Sequence, residues 1–156
     1  HFTRLVGDRD VWEWRFGEET GFFHYGMLGR NTEPDSMDWM FAWNRPETVC
    51  QEGSIIARYE EKGNERYVRA FSFYGTFEGY KAVILNRGMN SSKVFDSIDP
   101  DTYELMLTFV LTGKDILVSL YSSKVDVSKL AEKFGGGGHK GAAGFVCSDL
   151  EVLGIK

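Results

Sequence analysis

The chain has 156 residues, 42% of them hydrophobic, and a formal net charge of −5, which allows a packed core, excludes wholesale disorder and argues against a broad basic surface that grips long duplexes by counterion release. Any nucleic-acid ligand is therefore expected to be small or held in a local pocket. No apolar run approaches the ~20 residues of a bilayer span and no signal peptide is legible, so no membrane partner and a cytoplasmic location are expected; Cys50 and Cys147 are too few and too far apart for a disulfide framework or zinc site and read as buried thiols.

The chain opens on His1 without an initiator methionine, which reads as a piece cut from something longer, and His1 carries no functional weight. All four tryptophans, Trp12, Trp14, Trp39 and Trp43, fall in the first 43 residues. Residues 1 to about 50 read as an aromatic helical region, in which Asn44-Arg45-Pro46 ends a helix begun near Pro34. Its aromatics are expected to pack rather than to stack on nucleotides, and His24, amid Phe22, Phe23 and Tyr25, reads as a packed or solvated histidine. On pattern alone Asp8 and Asp10 pair with Arg4 or Arg9 or cap a turn.

From Gly53 to Ala70 the residues Ile55, Ile56, Tyr59, Tyr67 and Ala70 fit a helical stripe, with a kink or break expected at Gly63-Asn64. Phe71 to Phe77 then alternates at strand spacing, Glu78-Gly79 turns, and Lys81 to Asn86 supplies a second strand. Tyr103–Leu111 and Asp115–Tyr121 read as another pair around Thr112-Gly113-Lys114. Val127, Leu130, Ala131 and Phe134 sit at i, i+3, i+4 and i+7, one apolar helical face, with Asp126 as N-cap and Gly135 as the C′ residue. The fold class expected is α/β: a mixed β-sheet of about five strands flanked by helices and preceded by an aromatic-rich helical linker segment, divided at 1–52 and 53–156.

Six of the 18 glycines fall between Gly135 and Gly144, a run reading Gly-Gly-Gly-Gly-His-Lys-Gly-Ala-Ala-Gly. Four glycines strip the side chains from a stretch of backbone, so amides can approach an anion closely, and positive φ can aim successive N–H groups into one concavity. His139 and Lys140 add donors and charge. A flexible linker would continue into polar, serine-rich sequence, whereas this run leads into Phe145-Val146-Cys147.

Asp126-Val127-Ser128-Lys129-Leu130-Ala131-Glu132-Lys133-Phe134, the glycines, His139 and Ala142-Ala143-Gly144-Phe145 together resemble the DHH-associated domain, the substrate-binding half of DHH-family phosphoesterases such as RecJ-type exonucleases, nano-RNases and certain cyclic-dinucleotide phosphodiesterases. The resemblance implies a hydrolase in which Gly135, Gly136, Gly137, Gly138, His139 and Lys140 bind a terminal phosphate or nucleotide of a short oligonucleotide or small nucleotide. It also implies an upstream DHH catalytic domain with Mn²⁺ or Mg²⁺, since hard carboxylate ligands suit those ions. Val6-Gly7-Asp8-Arg9-Asp10-Val11-Trp12 resembles the segment that supplies one metal-binding aspartate, matched to Asp8. No Asp-His-His triplet occurs, so the chain is expected to be the recognition part and not the whole catalytic centre.

Val118 to Ser123 resembles a family strand ending Ser-Leu-Arg-Ser, with Tyr121 in place of the arginine and Ser122 beside it. A guanidinium clamps phosphate bidentately, whereas a tyrosine offers one hydroxyl or a stacking face, so Lys124 or Lys140 is expected to supply the missing charge. Asn86-Arg87-Gly88-Met89-Asn90-Ser91-Ser92 resembles the family's substrate-facing polar loop; Arg87, Asn90 and Ser91 are candidate donors, against a reading in which Ser91 or Ser92 simply caps a helix near Lys93. The alternative reading is a non-catalytic nucleic-acid-binding module like the alanyl-tRNA synthetase tail, for which −5 leaves little basic surface.

Overall fold

The computed structural model describes residues 1–11, 13–33, 35–89 and 91–154. The chain divides into two units, His1–Lys62 and Gly63–Lys156, and the boundary falls within one long helix. Among the described residues no helix is long and apolar enough to cross a membrane.

The first unit is helical: α1 (Phe2–Asp10), α2 (Glu18–Leu28), α3 (Met37–Asn44) and the first part of α4 (Pro46–Phe71). Ser36 caps α3 by accepting from the Trp39 amide at 3.3 Å. The start proposed near Pro34, like Trp12, lies outside the described residues. Arg45 leaves helical geometry at φ −139°, and Pro46, whose missing N–H costs nothing in a first turn, opens α4. Leu5, Phe23, Met27, Ala42, Val49 and Cys50 form the core, with Phe2 and Trp39 packed edge to face on its margin. Burial, with repulsion from Glu19 and Glu47, pushes the Cys50 thiol up to about 11, so it stays protonated and inert at neutral pH.

Two glycines let α2 and α4 touch backbone to backbone. A Cβ on Gly53 would stand 1.7 Å from the Phe22 carbonyl oxygen, and one on Gly26 would stand 2.2 Å from that of Val49. Because backbone cannot swing aside as a side chain can, Gly53→Ala is expected to cost about 3 kcal/mol or more through forced separation of the helices. Thermal unfolding followed by far-UV circular dichroism checks this; an unchanged melting temperature would contradict it.

The second unit is a mixed sheet of six strands in the order β1-β2-β3-β4-β6-β5. The strands are β1 (Ser72–Phe77), β2 (Tyr80–Asn86), β3 (Leu105–Leu111), β4 (Ile116–Tyr121), β5 (Gly137–His139) and β6 (Ala142–Cys147). Only β2 and β3 run parallel among these pairs, joined through a 3-10 turn at Ser92–Phe95. Glu78 and Gly79 both take positive φ, 52° and 85°, the type I′ geometry that suits a two-residue hairpin. On one face of the sheet α5 (Val127–Glu132) buries Val127, Leu130 and Ala131 against Ile84, Leu107, Leu120 and Phe145. The opposite face carries Val83 and Leu85, covered by Val68, Val94 and Phe95.

The sheet has one strand more than the five expected. Glycine has little strand propensity and reads as loop, yet Gly137–His139 pairs with Gly144–Ala142 of β6, so pairing and not propensity makes the strand. The break expected at Gly63-Asn64 is also absent. Helix α4 runs continuously because Asn64 is buried and accepts from Arg87 Nη1 at 2.7 Å, a partner 23 residues away.

Candidate functional site

The glycine run begins as a helix terminator. The Gly136 amide donates to the Ala131 carbonyl at 2.9 Å and the Gly135 amide to that of Glu132 at 3.1 Å, with Gly135 at φ +76°. These two bonds form a Schellman motif with Gly135 at C′, and they use the first two amides of the run for capping. Gly136 is further confined by the sheet, since a Cβ there would meet the Gly144 carbonyl oxygen at 2.1 Å. Gly138, at φ +147°, would place a Cβ 2.6 Å from Ala143 Cα. Gly137 has open space around its missing side chain.

Beyond the glycines the turn is pinned at both sides. The Lys140 carbonyl accepts from the Val127 amide at 3.0 Å, satisfying a first-turn donor of α5, and the Gly141 carbonyl accepts from the Ser122 amide at 3.2 Å. His139 and Lys140 are exposed on this fixed frame. As β5 is an edge strand, alternate residues turn backbone N–H and C=O groups outward, away from β6. The donors this turn leaves for a ligand are therefore these outward amides, His139 and Lys140, while the amides of Gly135 and Gly136 are used by the cap.

Strand register sets which side chains share the face. Met106 pairs with Tyr121, Tyr121 with Ala142 and Ala142 with His139, so Tyr121 and His139 lie in one row on the face opposite α5. Two strand spacings separate them, about 10 Å. Tyr121 is half-buried, its ring centroid 6.4 Å from that of Phe95. It borders a cleft of about 400 Å³ whose lining includes Phe95, Asp96, Ile98, Met106 and Gly141.

The remaining candidates have structural duties. The buried Ser122 hydroxyl donates to the Glu104 carbonyl at 2.6 Å and accepts from the Lys124 and Val125 amides at 3.0 and 2.9 Å, so it ties the end of β4 to the strand beside it. Arg87 lies over the Tyr67 ring at 4.9 Å while bonding Asn64, which turns its fork toward α4. Ser91 caps the 3-10 turn, accepting from the Lys93 amide at 3.4 Å. Asn90 lies outside the described residues. The Lys124 ammonium donates to the Pro100 carbonyl and lies 3.8 Å from Asp101. Asp126 sits at the N-cap position, but its carboxylate accepts from the Ser128 hydroxyl at 2.6 Å.

Asp8 belongs to the first unit and is only 5% exposed. One carboxylate oxygen accepts from the Arg15 amide at 2.8 Å; the other accepts from the Thr20 hydroxyl at 2.5 Å and the Phe16 amide at 3.5 Å. Burial raises its pKa, but the Thr20, Arg15 and Phe16 hydrogen bonds outweigh burial and hold the carboxyl below its ordinary value. Among the described residues no group of three His, Cys, Asp or Glu could hold a metal ion. Asp8 as it stands anchors its own loop, and these residues do not by themselves fit a divalent ion.

A carboxyl lowered on folding contributes stability that is present above its unfolded pKa, near 3.8, and is lost as pH falls through the folded value. The melting temperature is therefore expected to drop below about pH 4 more steeply in the native chain than in Asp8→Asn. Parallel acid profiles of the two proteins would contradict this.

Residues 87–154 match the DHHA1 domain. No curated protein matches the chain in sequence. Among solved structures it is similar to the pGpG-specific phosphodiesterase PggH of Vibrio cholerae, at 12% identity and a TM-score of 0.58, covering 86% of this chain and 54% of that one. It is also similar to an uncharacterized protein from Helicobacter pylori G27 (18% identity, TM-score 0.41, 77% and 30% covered). A third likeness is to the DHH domain of a protein described as a member of a family of ribosomal proteins (13% identity, TM-score 0.48, 72% and 33% covered). The first likeness is one of fold, and the two with lower scores carry no weight. The chain spans about half the length of the Vibrio enzyme.

Proposed function

We propose, from a chain whose residues 87–154 match a DHHA1 domain, that it is the substrate-recognition part of a metal-dependent phosphodiesterase acting on short oligonucleotides or small nucleotides. DHHA1 domains generally accompany an N-terminal DHH catalytic domain, and the Mn²⁺ or Mg²⁺ ions belong in this reading to that partner, with Asp8 as the contribution of this chain. The observation that carries the reading is the glycine turn. It is fixed by a Schellman cap, by β6 and by the Lys140 and Gly141 carbonyls, and it sets His139 on the sheet face that Tyr121 also occupies. Rigid donors at an edge strand bind the terminal phosphate, and holding that end places the scissile phosphate at the metals, an orientation effect worth several kcal/mol of barrier.

Lys140 supplies the charge that Tyr121 does not, His139 adds a ring donor, and Gly137, open on its outer side, admits the phosphate close to backbone. Gly135, Gly136, Gly138, Ser122 and Arg87 hold the frame. The non-catalytic alternative would want the basic surface that a net charge of −5 withholds. The expected result is that this chain alone leaves a 5′-phosphorylated dinucleotide intact in the presence of Mn²⁺, whereas the chain joined to an upstream DHH domain hydrolyses it. Turnover by the chain alone, or none by the joined protein with its metals loaded, would overturn the reading.

A further inference from the structure

The sheet has two edges, and the glycine turn uses one of them, β5; the other, β1, is left open along Ser72–Phe77. Opposite Thr76, Lys81 turns its backbone toward β3: its carbonyl accepts from the Glu104 amide at 3.0 Å and its amide donates to the Glu104 carboxylate at 3.1 Å. Thr76–Lys81 is therefore a non-hydrogen-bonded pair of the hairpin, so Thr76, and with it Tyr74 and Ser72, turns its backbone groups outward. Among the described residues nothing pairs with these groups of Tyr74 and Thr76. Gly154 passes beside Thr76, where a Cβ on it would stand 3.8 Å from the Thr76 carbonyl oxygen, but its amide donates to the Glu151 carbonyl and not to the strand. The usual protections of an edge are missing. β1 has no charged residue, no proline and no bulge along its register with β2, and Phe73 and Tyr74 are 37% and 58% exposed.

We propose that β1 pairs antiparallel with β1 of a second copy of this chain, Tyr74 facing Tyr74 on the two-fold axis. The strand is complementary to itself in that register. Ser72 stands opposite Thr76, a hydroxyl pair; Phe73 stands opposite Gly75, an aromatic side chain over a glycine; and the two tyrosines meet at the centre. A slide of two residues sets Phe73 against Phe73 or Gly75 against Gly75 and parts Ser72 from Thr76. The charges suit a second copy as well. In a chain of net −5 this uncharged strand lets two copies meet without opposing like charges. Its ends differ in sign, since it follows Arg69 and precedes Glu78, which Lys133 holds at 2.7 Å, and the two-fold brings the start of each strand to the end of the other. The two six-stranded sheets become one, with both glycine turns at its outer edges, so the pairing neither needs nor obstructs the phosphate reading.

The test is sedimentation equilibrium of the full chain from about 10 μM to about 1 mM, the range of a small interface. The average mass is expected to climb from one chain toward two. Tyr74→Lys and Tyr74→Glu, at an exposed position that faces itself across the axis, are each expected to hold the chain at one copy over that range, and their equimolar mixture to recover the dimer. A native chain that stays at one copy, variants that dimerise as the native chain does, or a mixture that fails to recover pairing would overturn the proposal. Because Tyr74 also stacks on Tyr103 at 5.2 Å, a measurement without substitution runs beside these. In the native chain the amides of Tyr74 and Thr76 are expected to exchange hydrogen several-fold more slowly at the top of the concentration range than at the bottom, while Val118, on the interior strand β4, does not change. Exchange at Tyr74 and Thr76 that ignores concentration would contradict the pairing.

Discussion

Gly136→Ala is expected to destabilise the second unit by about 3 kcal/mol, while Gly137→Ala, one residue on, leaves stability within about 0.5 kcal/mol of the native chain yet weakens binding of a phosphorylated dinucleotide at least about tenfold. The two substitutions add the same methyl group. At Gly136 it would meet the Gly144 carbonyl oxygen at 2.1 Å and Phe145 Cβ at 2.6 Å, both part of β6 and the core beneath α5. At Gly137 it would meet nothing within 4 Å, so the protein itself places no demand for glycine there. On the proposed reading the phosphate comes close to this backbone, which the open space around Gly137 permits. Thermal melts and dinucleotide titrations on both variants check the pair, and a Gly137→Ala variant that binds as the native chain does would show that the ligand lies elsewhere.

On the proposed function, His139→Ala in the chain joined to an upstream DHH domain is expected to lower kcat/KM toward a 5′-phosphorylated dinucleotide by roughly 10- to 100-fold, the worth of one hydrogen bond to a charged group. The side chain is exposed on a three-residue edge strand, and the residue is held through its pairing with Ala142, so the fold does not depend on the imidazole. The loss should fall on phosphorylated substrates and spare their unphosphorylated counterparts. Metal affinity should be unchanged, because on the proposed reading His139 holds the phosphate and is not a ligand of the ions. Equal activity of the variant would remove His139 from recognition, and a parallel loss of metal would mean that it acts on the catalytic centre instead.

Much of the second unit is legible in the sequence because its signals are local. Phe134-Gly135 ends a helix whose C′ residue needs positive φ, and both Schellman bonds form there. The Glu78-Gly79 turn and the alternation on either side of it yield β1 and β2 within a residue or two. What the sequence hides depends on partners far along the chain. Gly63 looks like a helix breaker until Arg87 is seen to hold Asn64 in place. Gly26 and Gly53 look unremarkable until α2 and α4 bring them against each other's backbone. Glycines 137–138 read as loop because strand character comes from β6 alone.

The site is legible in the same uneven way. The motif points to the turn and to His139, and the register sets His139 and Tyr121 in one row on one face with Ala142 between them. It does not reveal that the amides of Gly135 and Gly136 are consumed by the helix cap, or that Ser122 spends its proton on Glu104. Asp8 lies in a segment that resembles a metal-binding one, and the sequence does not show that its oxygens accept from the Arg15 and Phe16 amides and the Thr20 hydroxyl. The cleft is assembled from residues between Ser92 and Gly141, and no pattern within any one stretch announces it.

The most direct test of the phosphate reading is a calorimetric titration of this chain with a 5′-phosphorylated dinucleotide and with the same dinucleotide lacking the phosphate. The account predicts binding of the phosphorylated form in the millimolar range, about −4 kcal/mol, and no measurable heat from the other. Equal binding of the two forms, or no binding of either by a folded chain, would contradict it.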